Sequence, residues 1–85
     1  MKYEGRVQLG SNDGPIVEVS IDNPDHSRWE GMPHSPDVIA GVSKGAPLLV
    51  RLLDGERAGE RAQGQLEMTL GTSTVVLIGL GPFAA

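Results

Sequence analysis

The segment running from Thr72 to Leu80, closed by Gly81, Pro82 and Phe83, is apolar on both faces of any strand it forms. In extended backbone, successive side chains point to opposite sides. Val75, Leu77 and Gly79 therefore share one face, Val76, Ile78 and Leu80 share the other, and neither is polar beyond Thr74. A strand of this kind has to be covered on both sides. One cover is the core of its own domain; the other is a helix, a loop or a second chain. The feature constrains architecture and assembly and carries no chemistry of its own.

The rest of the chain sets the frame for that strand. With 85 residues there is room for one domain, and a chain this short keeps a thin stability margin unless it oligomerises. It contains no cysteine, so neither a disulfide framework nor a thiolate metal site is available. Twelve glycines and six prolines predict many turns and few long helices. No apolar run has the length of a membrane-spanning helix and the opening residues form no signal segment, so the expectation is a soluble, cytoplasmic protein.

Alternation marks out the strands. Residues 2–9 place Tyr3, Val7 and Leu9 inward and Lys2, Glu4, Arg6 and Gln8 outward. The turn residues Gly10 to Gly14 lead to a second strand with Val17, Val19 and Ile21 inward. Ser27 to Met32 predicts a short third strand carrying Trp29. Ser35, Pro36 and Asp37 start a helix of one or two turns over Pro36 to Val42. Pro47 to Leu53 is a strand with Leu48, Val50 and Leu52 on one face and Leu49, Arg51 and Leu53 on the other. Asp54 to Glu60 predicts a solvated, mobile loop. Arg61 to Leu70 alternates once more with Ala62, Gly64, Leu66, Met68 and Leu70 inward, and Gly64 predicts a bend or bulge. Five or six short strands and one short helix give a mainly β fold, a small antiparallel barrel or strongly coiled sheet. An OB-like barrel fits the order of elements; an SH3-like or six-stranded meander barrel fits nearly as well.

Function is far less legible. A net charge of −4 with scattered carboxylates, and only Tyr3, Trp29 and Phe83 as aromatics, argue against nucleic-acid binding, which needs clustered cations or stacking platforms. The polar connection from Asp22 to Asp37 holds His26 and His34. Two imidazoles with a carboxylate suit zinc or nickel, but the spacing matches no compact ligand motif, and the expectation is no metal and no cofactor. Nothing groups a nucleophile with a base, so no catalytic residue is assigned. The leading expectation is a non-enzymatic binding or assembly module acting through protein contacts and self-associating, as a homodimer, ahead of a complex with a protein partner. Its candidate contact residues are Val76, Ile78, Leu80, Leu49 and Leu53. The alternative is a small-molecule or metal-binding protein with a pocket near Trp29, His26 and His34.

Overall fold

The computed structural model describes residues 2–10, 13–34, 47–68 and 75–85. Six strands close into an antiparallel barrel. They are β1 (Lys2–Leu9), β2 (Ile16–Asp22), β3 (Glu30–Pro33), β4 (Pro47–Leu52), β5 (Arg61–Met68) and β6 (Val75–Gly79). Around the barrel the order is β1-β2-β3-β6-β5-β4. Two three-stranded meanders, β1–β3 and β4–β6, are thus joined at β1–β4 and β3–β6. A simple up-and-down meander is thereby ruled out, because β4 pairs with β1 and not with β3. The expected helix over Pro36 to Val42 lies outside the described residues.

The alternation seen in the sequence is the alternation of the walls. Val7, Val19, Ile21, Val50, Leu52, Leu66 and Leu77 are all fully buried, and burying each such side chain contributes about 1.5–3 kcal/mol. The registers place Lys2, Asp22, Glu30, Leu52, Arg61 and Gly79 toward one end of the barrel, and Leu9, Ile16, Pro33, Pro47 and Val75 toward the other.

Trp29 closes the first of these ends. It sits immediately before β3, with 1% of its surface exposed. The third strand is therefore later than the predicted Ser27 to Met32: it begins at Glu30, because the chain must first swing the indole over the barrel mouth. Asn23, at φ 52, starts that swing in a left-handed conformation that asparagine tolerates better than most residues. The indole Nε1–H donates to the Gly81 carbonyl at 2.8 Å, and Phe83 stacks beside it, with ring centroids 4.7 Å apart.

Gly64 lies under the same indole and produces no bulge, contrary to the sequence expectation. The ladder runs through it without interruption, pairing it with Leu48 on one side and Gly79 on the other. A Cβ there would approach Trp29 Cη2 and the Ile78 carbonyl oxygen to 3.0 Å. The missing side chain is a space for the ring.

The connection from Asp54 to Glu60 is more tied down than a solvated loop. It forms a 3-10 turn, Gly55–Arg57. The Asp54 carboxylate accepts from the Arg6 backbone N–H at 2.8 Å and from the guanidinium at 2.9 and 3.2 Å. Tyr3 donates its hydroxyl proton to the Arg6 carbonyl and accepts from the Asp54 N–H. Arg57 reaches Asp25 at 2.7 Å and Glu60 at 2.8 Å, fastening this turn to the connection that precedes Trp29.

Candidate functional site

The outer wall of β3 and β6 carries the apolar strip anticipated from the last strand. Val75, Leu77 and Gly79 face the core and are buried. Val76 and Ile78 face outward and are half-buried, and Leu80, just beyond the strand, is 50% exposed. On β3 the outward position two residues after Glu30 is Met32, 48% exposed. The β3–β6 register pairs Glu30 with Ile78 and ends at Gly31 with Leu77; continued by one position, that direction leads Met32 toward Val76. The strip therefore comprises Met32, Val76, Ile78 and Leu80. Met32 escaped the sequence reading because β3 is only four residues long, too short for alternation to show its phase.

The other two candidate contact residues lie elsewhere. Leu49 is paired with Gln63 of β5, whose carbonyl also accepts the Leu80 N–H at 2.8 Å, so Leu49 and Leu80 flank Gln63. Leu53 is past the end of β4, where its N–H donates to the Arg6 carbonyl. It belongs to the β1–β4 side and does not join the strip. Ile16, also exposed, lies opposite Gln8 on the β1–β2 wall.

The structure does not bring Trp29, His26 and His34 together. Trp29 is core. His26 is exposed in the connection before β3, while His34 follows β3 at its other end, its N–H donating to the Glu18 carbonyl at 2.8 Å. The whole of β3, four residues and about 13 Å of extended backbone, lies between them. Among the described residues no group of three or more His, Asp or Glu is gathered closely enough to hold a metal ion. A cleft of about 380 Å³ does exist, but it is lined by Lys2, Tyr3, Glu4 and Asp54 to Arg57.

His34 has a different neighbour that the sequence did not suggest. Its Nε2 lies 2.9 Å from Ser20 Oγ, and its Nδ1 lies 3.8 Å from Glu18 Oε2. Hydroxyl, imidazole and carboxylate in that order are the ingredients of acyl-transfer catalysis. The surroundings do not support that chemistry. Ser20 sits mid-strand, laddered to Glu4 on one side and Met32 on the other, so its backbone is committed to the sheet and offers no oxyanion hole. The Glu4 carboxylate accepts from the Ser20 hydroxyl at 3.5 Å, opposing any negative charge on that oxygen. His34 and Glu18 are well exposed, and no described residue shields them from water. The grouping is a polar cross-strand contact. Its only sequence signal was the register between β2 and β3, which cannot be read from spacing.

Two carboxyls are held below their ordinary titration range. Hydrogen bonds from the Arg6 side chain, then from its backbone, lower Asp54; the hydrogen bond from Arg57 lowers Asp25. Both pairs fasten the Trp29 end of the barrel and are structural. Among the described residues, no helix is long and apolar enough to cross a membrane.

The fold and its exposed strip define a small closed antiparallel β-barrel with an apolar strip on one part of its outer wall. No family model, curated protein or solved structure matches the chain.

Proposed function

We propose that this chain is a non-enzymatic binding or assembly module that works through protein contacts on the outer wall of β3 and β6. The observation supporting it is the strip itself: Met32 and Leu80 are each about half exposed, and Val76 and Ile78 lie between them on the same wall. A single exposed apolar side chain is ordinary on a soluble protein, whereas a contiguous row marks a contact surface. Among the described residues nothing beside the Ser20–His34 contact polarises the hydroxyl, and the Glu4 carboxylate opposes charge on it. The strip is small beside a standard interface of about 800 Å² per partner, so the contact is of the weak or transient class, or extends onto neighbouring strands.

Sedimentation equilibrium on the wild type and on Ile78→Glu tests the homodimer form of this reading. A dimer at high micromolar concentration that dissociates in the variant supports it. A strict monomer at that concentration removes self-association and leaves the protein-partner form. Loss of folding in the variant is separated from loss of association by recording its melting curve alongside Met32→Glu, at a more exposed position.

A further inference from the structure

We propose that the β3–β6 wall receives a partner segment that presents apolar side chains flanked by lysine or arginine, rather than a second copy of this chain. The inference rests on the protein-contact reading above and names the chemistry of the partner.

Charge decides between the two occupants. Ile78 is paired with Glu30 on one side and Gln65 on the other; Glu30 is in turn paired with Asp22, and Val76 with Glu67. Carboxylates thus border the apolar strip on both flanks. Gln65 donates its amide to Glu67, a neutral donor that leaves the charge in place. Among the described basic side chains, Arg6 pairs with Asp54, Arg57 with Asp25 and Glu60, and Lys2 with Glu4, while Arg61 and Arg51 face each other at the far end of the β4–β5 ladder from Glu67. Arg28 lies at the corner of the wall near the Leu80 end of the strip, sharing a small cleft with Asp22, Asn23 and Glu30, and leaves the Glu67 flank beside Val76 without a described cation.

A two-fold interface places the same patch on both sides. Here that would bring the Glu30 and Glu67 carboxylates of two copies, each of net charge −4, around one small apolar contact. Like charges juxtaposed at an interface oppose binding, and opposite charges steer it. An apolar segment with basic flanks gains the same burial without that repulsion.

Amide-resolved NMR titration of the full chain tests this. The probes are a short blocked peptide alternating lysine with leucine, and its glutamate–leucine counterpart. The expected result is a set of shifts confined to β3, β6 and the facing part of β5 with the basic peptide, weakening as salt rises. Glu30→Gln combined with Glu67→Gln should weaken that binding by a factor of about ten, equivalent to about 1.4 kcal/mol. The control Asp13→Asn combined with Glu56→Gln, which removes the same charge elsewhere, should weaken it far less. Equal binding of the two peptides, equal effects of the two double variants, or self-association through the same wall would overturn the basic-partner inference and leave the protein-contact reading standing. Shifts spread over the whole barrel would overturn it as well. No response of β3 and β6 to either peptide, in a protein that also stays monomeric, would remove both.

Discussion

A Cβ added to Gly79 would come within 2.5 Å of the Trp29 indole. That distance is shorter than any real contact between such atoms, so the two residues are complementary: the bare backbone of one is the seat of the other. Gly79 donates its N–H to the Trp29 carbonyl at 2.7 Å, which pins the backbone on which the ring turns inward.

Gly79→Ala should therefore destabilise the barrel by about 1–3 kcal/mol, the range for overpacking a filled core. Gly81→Ala, where a Cβ meets nothing within 4 Å, should change stability little or raise it slightly by stiffening the unfolded chain. Urea melts of the two variants make the comparison. Similar losses at both positions would contradict the assignment of Gly79 as the indole's seat.

Trp29 and Phe83 should be energetically coupled. Trp29→Ala is expected to cost about 3–5 kcal/mol. Trp29→Leu and Phe83→Leu, milder and more apt to fold, should form a double-mutant cycle with a coupling of about 0.5–1.5 kcal/mol. Strict additivity would mean that the ring contact contributes nothing beyond the area each buries.

How much of this was legible before the structure depends on the range of each interaction. Period-two alternation is local, and it placed Val7, Val19, Val50 and Leu66 on the inner wall. Glycine in a strand has two meanings, a bend or bulge and a close approach, and the partner that gives Gly64 the second, Trp29, is far away in the chain. The same distance hid the closing of the barrel end by Trp29. The Ser20–His34 contact and the place of Met32 depend on the β2–β3 and β3–β6 registers, and β3 is too short to announce either. The outward face of β6 was plain because its apolar run needs no partner to be seen.

Acid should loosen the barrel at the Trp29 end. Asp54 and Asp25 titrate below the ordinary carboxylate value when folded and near about 4 when unfolded. Their contribution is therefore fully present above about pH 4 and is lost as pH falls through the lower, folded values. Urea melts at stepped pH should show a gap between wild type and Asp54→Asn that closes as the solution becomes acidic. A gap of constant size across that range would show that the charge on Asp54 plays no part.

Hydrogen exchange should rank the joints of the barrel. β1 and β2 share seven paired positions, whereas β3 and β6 share two. The amides of β3 and of the β3-facing side of β6 should exchange ahead of those between β1 and β2. A uniform rate across all six strands would indicate that the barrel opens only as a whole.

The position of the indole also bears on how the barrel assembles. Each three-stranded half is built from neighbours in the chain, but the two joints pair residues more than half the chain apart, Val7 with Leu52 and Glu30 with Ile78. Contacts between remote positions are slow to form, so the halves come together last. Trp29 belongs to the first half, while Gly64, Gly79, Gly81 and Phe83, which hold it, belong to the second. The chain's one tryptophan is thus a built-in clock: in stopped-flow refolding its fluorescence times the joining of the halves, and not the formation of either.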